Sequence, residues 1–435
     1  MLKFGQFDII KAMGSVCRER KSEVVDLKRL YLVIDVVIGV LIITLIILTV
    51  TQRNKTGLYY QDAQKAFTKA ENAATSWDIN DPKKLSKISE LYRKVFEKYP
   101  DSRWADEAIY RLASKIEPSE KEAMILYRRL IKDYPDSEYV VLSLYSIGMG
   151  HYDRGDYISA IAEFGKIISD YPDSPFAEKA LFNTAMSRYS LGKWDEASLE
   201  FQEFETRYPR SQLVDDSQTY RGLIAINKKD YETGIKTLEE VIQKYPSSDS
   251  ADNAQFNIAA AYFEQNKYDE AVAAFEKLIN SYSDSEFIQE SKIMLTSCYE
   301  KQGKDQKAIS SLQKFLRQYS DSSYASRAED FMAEVYLKKL KNVKSAIDTY
   351  QKIADNTQYD YDIRKKSQYQ VGQLYESQKD YAQAIEAYKK LIADFSNSMS
   401  TPNQPADKID KAYVINLQTM QQEIPGQSVP EEDKS

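Results

Sequence analysis

The sequence predicts an all-α protein: a superhelical solenoid of about nine helix-turn-helix repeats behind a single N-terminal transmembrane helix. Three observations carry that expectation: a short phrase that returns at intervals of 37 residues, an apolar run of 21 residues near the N-terminus, and sparse Gly and Pro. A chain of 435 residues exceeds one ordinary hydrophobic core, so several domains or a repeat array must divide it. Only 14 Gly and 12 Pro punctuate a sequence rich in Ala, Lys, Glu, Leu and Tyr, which favours helices over many short strands.

Charge and special residues narrow the function. The first 55 residues hold nine Lys/Arg against five Asp/Glu, and the remainder holds 50 against 61, an acidic balance that repels phosphate backbones and argues against nucleic acid. One histidine, His151, cannot supply a multi-His metal site, and a Ser-His-Asp arrangement could only be built around it. No metal, cofactor or catalytic residue is expected. Cys17 and Cys298 lie on opposite sides of the apolar run, so they cannot pair within one inserted chain.

The first element is the apolar run from Leu30 to Val50, behind a tail of residues 1–29. As a helix it is about 31 Å long, enough for a bilayer core of roughly 30 Å. A cleaved leader is disfavoured by the long preceding tail and by the lack of a small-x-small site in the following residues. No Cys follows to accept a lipid. Lys11, Arg18, Arg20, Lys21, Lys28 and Arg29 precede the run, against Arg53, Lys55, Lys65 and Lys69 after it, a bias that places the N-terminus in the cytoplasm. In a bacterium the array would then be periplasmic, anchored in the inner membrane. Asp35 lies five residues into the helix, where a carboxylate is costly. It either contacts another membrane helix or reaches the interface that Tyr31 marks.

After a linker of residues 51–57 comes the array, residues 58–396. Its phrase is Tyr99-Pro100-Asp101-Ser102, returning at Tyr134, Tyr171, Tyr208, Tyr245, Tyr282 and Tyr319, first after 35 residues and then five times after 37. A unit of that length suits a helix pair. Pro ends the preceding helix and Ser is a preferred N-cap for the next, as Ser174-Pro175 shows. A second break falls midway, at Gly155, Gly192, Asn266 and Gly303, residue types suited to a left-handed helix end. Small residues keep step at Ala160, Ala197, Gly234, Ala271, Ala308, Ala346 and Ala384. Four residues after each stands a large one, Phe164, Phe201, Leu238, Phe275, Leu312, Tyr350 or Tyr388, one turn along the same face.

The ordered series Gly148, Gly155, Ala160, Phe164 and Pro172 resembles the tetratricopeptide repeat family. The Tyr-Pro-Asp-Ser endings are similar to the bacterial envelope type, seen in the Tol-Pal coordinator family and the Bam assembly lipoproteins. Departures are Thr296 at a usually small position, Ser for Pro in later units, and an extra residue around Lys338 to Asn342. The Pro-, Gln- and Ser-rich segment 397–435 is expected to be mostly disordered, apart from a short capping helix that the pattern allows over Ile409 to Ile424.

The resemblance implies a ligand-contacting surface on the first helix of each unit. Carried onto this chain, its positions are Tyr145, Met149 and Tyr152, then Phe182, Met186 and Tyr189, then Thr219, Leu223 and Ile226, then Phe256, Ala260 and Phe263. Such a groove suits an amphipathic helix or an extended apolar segment of a partner protein. Packing between repeats is the competing reading of the same stripe. Members that grip a chain terminus use a basic and Asn cluster, whereas the leading positions here are Tyr145, Phe182, Thr219 and Phe256. His151 and Cys298 fall on first helices and are read as packed side chains.

Together these features predict a membrane-anchored extracytoplasmic scaffold for envelope assembly or secretion. An ancillary translocon or chaperone-like subunit, or a part of a periplasmic flagellar or cell-wall complex, is the alternative. An envelope enzyme fits least, because the repeats leave no inserted domain. Self-association through the membrane helix or the array ends is a further reading.

Overall fold

The computed structural model describes residues 56–117 and 119–395, together with Leu41, Thr44 and Leu45. Asp35 and segment 397–435 lie outside the described residues. Of the predicted membrane helix only Leu41, Thr44 and Leu45 are described, and all three are helical. Among the described residues no helix is long and apolar enough to cross a membrane, and none forms a strand.

Residues 56–76 are helical and form α1. There follow α2 (Pro82–Lys98), α3 (Ala105–Arg111), α4 (Glu120–Asp133), α5 (Tyr139–Asp153), α6 (Tyr157–Asp170) and α7 (Pro175–Ser190). The second half holds α8 (Trp194–Arg207), α9 (Val214–Asn227), α10 (Tyr231–Lys244), α11 (Asp249–Glu264), α12 (Tyr268–Ser281) and α13 (Ile288–Lys301). The last are α14 (Asp305–Gln318), α15 (Ala325–Glu334), α16 (Val343–Asp355), α17 (Tyr361–Ser377) and α18 (Tyr381–Phe395). Odd-numbered helices open a unit and even-numbered ones close it. The chain forms two compact units, divided between Ser187 and Arg188 within α7.

The repeated phrase builds the turn between units. From Tyr99 to Tyr319, each of its seven tyrosines stands just past a closing helix, its N–H bonded to the carbonyl four residues back at 2.8–3.0 Å. The Ser three residues later returns its own N–H to that Tyr carbonyl at 3.0–3.2 Å. Its Oγ accepts from the amide two residues on at Tyr139, Phe176, Leu213, Ser250, Phe287 and Tyr324, at 3.0–3.2 Å. Here the structure refines the expected cap. Helices α7 and α11 start directly after the Ser, whereas α3, α9, α13 and α15 start three residues after it. In both sets the Ser carbonyl accepts an i→i+3 bond, as from Ala177 to Ser174 at 3.0 Å and from Ala105 to Ser102 at 3.1 Å. Tyr282 and Tyr319, which precede Ser rather than Pro, keep the backbone conformation of the other phrase tyrosines (φ −127° and −133°). The Ser Oγ and carbonyl therefore hold the turn without the ring.

From α5 onward each opening helix ends in a left-handed residue. The amide after it reaches back five residues, as from Asp156 to the His151 carbonyl at 2.9 Å and from Lys304 to Tyr299 at 2.8 Å, or six in the case of Asn342 to Tyr336 at 2.8 Å. Gly155, Gly192, Gly303 and Asn266 take this position, as the pattern expects, at φ of 76°, 71°, 71° and 59°. Lys229, Lys341 and Lys379 take it too, at 64°, 55° and 61°. A Cβ is disfavoured there. Each Lys→Gly change is therefore expected to stabilise the protein by about 0.5–1 kcal/mol after the added flexibility of the unfolded glycine is discounted. Denaturant midpoints of K229G, K341G and K379G read this directly; an unchanged or lower midpoint would show that the lysines bear no strain.

Two units are irregular. The extra residue near Lys338 is absorbed by a π-helical turn, Val335–Lys339, after which the left-handed Lys341 restores the ordinary turn. A matching π turn at Leu112–Ile116 ends α3, closed by Glu117 N–H on the Leu112 carbonyl at 2.9 Å.

The periodic residues make the core. Ala160, Ala197, Ala271, Ala308, Ala346 and Ala384 are fully buried, as are Phe164, Phe201, Leu238, Phe275 and Leu312; Tyr350 and Tyr388 are nearly so. Closing helices bury one stripe, as α12 does with Ala271, Ala274, Phe275 and Leu278. Opening helices bury more of their circumference, as α11 does from Ser250 and Ala251 round to Gln255 and Ala261. Their remaining surface is half-buried, and the candidate residues stand on it.

Candidate protein-binding surface

In the first unit Tyr145, Met149 and Tyr152 follow one another along α5 at helical spacing, half-buried, with one side packed on the core. Tyr145 leans on Phe164 and Phe176, with ring centroids 5.7 and 5.2 Å away. Asn183 on α7 donates to the Tyr145 hydroxyl at 3.0 Å and lies 3.3 Å from the Met149 sulfur. Burial raises the Tyr145 phenol above its ordinary pKa, with the Asn183 contact opposing that shift. Tyr152 packs edge-on against Tyr157 at 5.3 Å. Phe182 and Met186 are half-buried on α7. The structure thus brings Tyr145 and Met149 together on one asparagine.

In the second unit Tyr189 meets Tyr220 edge-on at 5.2 Å, and Tyr220 stacks on buried Phe201 at 5.6 Å. Asn227 donates to the Tyr189 hydroxyl at 3.3 Å. Leu223 is half-buried, as is Ile226, which packs on the core. Phe256 stacks on Phe287 at 5.0 Å and touches Phe275 at 6.0 Å; Phe263 meets Tyr268 at 5.5 Å. Every one of the ten candidate positions is neither sealed nor fully exposed. Tyr145, Met149, Tyr152, Ile226, Phe256 and Phe263 pack on core clusters.

Sequence reading missed the asparagines. Asn183 and Asn227 each follow their tyrosine by 38 residues, one more than the period, and so tie successive opening helices together. That doubled Tyr-to-Asn spacing was the available signal. The two residues read as packed side chains differ in burial. Cys298 is buried, which pushes its thiol up to about 12, and His151 holds Asp156 at 3.0 Å with 15% of its side chain exposed. Among the described residues no group of three or more His, Cys, Asp or Glu could hold a metal ion.

With pairs, turns and periodic core in place, family comparison decides the class. A tetratricopeptide repeat profile matches residues 119–137 and 366–398, and the YfiO profile, described as outer membrane lipoprotein, matches 141–225 and 214–352. The chain is a tetratricopeptide repeat protein. Solved structures similar to this repeat protein include one from Parabacteroides merdae, 14% identical, covering 64% of this chain and 98% of that one with a TM-score of 0.40. Another is the C-terminal part of a repeat protein from Cytophaga hutchinsonii, 17% identical, covering 61% and 98% with a TM-score of 0.45. MamA protein is 17% identical over 42% of this chain and 94% of its own, with a TM-score of 0.35. No curated protein sequence matches the repeat protein.

Proposed function

We propose that this tetratricopeptide repeat protein is a membrane-anchored scaffold of the bacterial envelope that binds partner proteins on its half-buried aromatic residues and catalyses no reaction. The observation that carries the reading is the shared state of Tyr145, Met149, Tyr152, Phe182, Met186, Tyr189, Leu223, Ile226, Phe256 and Phe263. Half-buried side chains are already partly ordered, so a partner that covers them costs less conformational freedom in the complex. An amphipathic helix or extended apolar segment is the occupant such residues fit.

Two sequence features support the location. The match to a family described as outer membrane lipoproteins favours the envelope. Leu30 to Val50 supplies a membrane span where no following Cys offers a lipid acceptor, and the flanking Lys/Arg bias directs the repeats outward. Asp35 within that span is a contact point for a second membrane helix.

Single substitutions F182E, Y189E and F263E are each expected to weaken partner capture by about tenfold or more, since burying an unpaired charge removes an aromatic anchor and adds a desolvation cost. Crosslinking in cells carrying each variant reads capture, and the thermal midpoint reports whether folding survives. Folded variants that capture the native set of partners would eliminate this surface. A reporter active only outside the cytoplasm, fused after Asn397, tests the topology: activity supports the outward array and silence reverses it.

A further inference from the structure

The second unit contains a polar cavity remote in chemistry from the aromatic residues. It encloses about 930 Å³ among α14, α15, α16 and the start of α17, and its walls include Asp321, Ser322, Ser326, Glu329, Lys352 and Asp360. Three carboxylates against one ammonium give it an acidic balance. Glu329 is 2% exposed. Lys352 donates to its Oε1, while its Oε2 has no hydrogen-bond partner. Tyr359 lies beside the same carboxylate, where burial, the Glu329 charge and the hydroxyl's polar contact with that carboxylate raise its phenol above the ordinary value.

The repeat shows why a glutamate at this place is unusual. Two periods earlier stands Gln255, and in the following unit Gln368; each is buried and donates its Nε2 to a closing-helix carbonyl, Ala274 or Ala387, at 3.1 Å. A carboxylate has no hydrogen to give and cannot make that bond. Burying it with one oxygen unpaired is costly, and it lacks the closing-helix bond that Gln255 and Gln368 make. Lys352 satisfies only Oε1, and its own side chain is 66% exposed, free to withdraw into solvent.

We propose that this cavity receives a basic side chain, the guanidinium of Arg or the ammonium of Lys, from a partner protein. The incoming group pairs with Glu329 in place of Lys352, and Asp321 and Asp360 supply further negative charge. A guanidinium fits best because it can engage both carboxylate oxygens at once. The protein source of the cation rests on the scaffold reading; the cavity's chemistry does not.

Nα-acetyl-arginine amide, with the neutral citrulline analogue as control, probes the cavity without any partner. Titrated into the full chain in detergent and followed by the shift in thermal midpoint, the arginine derivative should bind saturably and citrulline should not. E329Q, which installs the residue found at Gln255 and Gln368, should fold and weaken binding at least about tenfold. K352M, which removes the competing ammonium, should strengthen it. The proposal is overturned by absent arginine binding, by equal binding of citrulline, by E329Q behaving as the native chain, or by spermidine binding through Glu329 in place of the arginine derivative. Should E329Q fail to fold, K352M decides alone: tighter binding supports the proposal, and unchanged or weaker binding sinks it. None of these outcomes depends on capture by Phe182, Tyr189 or Phe263, so the two surfaces fail separately.

Discussion

Replacing Phe164 with Ala is expected to lower the stability of the first unit by about 3–5 kcal/mol, the range for removing a large aromatic side chain from a close-packed core. The ring is fully buried on α6. It lies over Gly148 of α5, where an added Cβ would come within 2.5 Å of its Cε1, so the glycine exists to admit the ring. Neighbouring atoms cannot follow the truncation cheaply, because α5 and α6 are already in close approach. In a repeat array the loss falls first on the affected pair and its neighbours. Hydrogen exchange should therefore accelerate in α5 and α6 before the second unit changes. Tyr145 rests on the same ring at 5.7 Å, so F164A should also loosen a candidate binding residue. Unaltered exchange in α5 with a small change in midpoint would show that the pair does not depend on this ring.

The legible part of the molecule was the part that repeats. The Tyr-Pro-Asp-Ser phrase encodes a helix end, a turn and a cap within four residues, and each of those bonds is local. The small and large residues of the closing helices follow one periodicity and are buried together, so the core could be read from spacing alone. Lys229, Lys341 and Lys379 escaped because the left-handed turn is imposed by the backbone bond that spans it, five residues at Asp230 and Asp380 and six at Asn342, which tolerates a lysine that local preference would reject. The π turn over Val335–Lys339 was visible only as a one-residue slip, since an insertion has several local solutions and packing selects among them. Half-burial of residues such as Tyr145 and Phe256 depends on which neighbours reach them across the array, Asn183 for one and Phe287 for the other. The cavity around Glu329 gathers residues from four helices and their turns, a juxtaposition that no single repeat contains.

Gly234 separates what the repeat pattern recommends from what the structure permits. Every other closing helix in the aligned series has Ala at this place, and helix propensity favours Ala over Gly by about 1 kcal/mol, so pattern alone predicts that G234A stabilises. The structure predicts the opposite. An added Cβ would lie 2.6 Å from Ile226 Cγ1 and 2.9 Å from the Gly222 carbonyl oxygen, and neither the Cγ1 of a β-branched side chain nor a helical carbonyl can withdraw cheaply. Gly222 on α9 is similarly confined, with Leu238 2.8 Å from where its Cβ would stand. The two glycines let α9 and α10 approach more closely than Ala allows, and overpacking of about 1–3 kcal/mol should outweigh the propensity gain. G165A on α6 is the matched control, because nothing lies within 4 Å of its added Cβ and only the propensity gain remains. Denaturant midpoints should therefore fall for G234A and rise for G165A. A rise for both would mean that α9 and α10 have room to spare. Since the clash falls on Ile226, G234A should also displace a candidate contact residue from within the core and weaken partner capture without altering the surface chemistry.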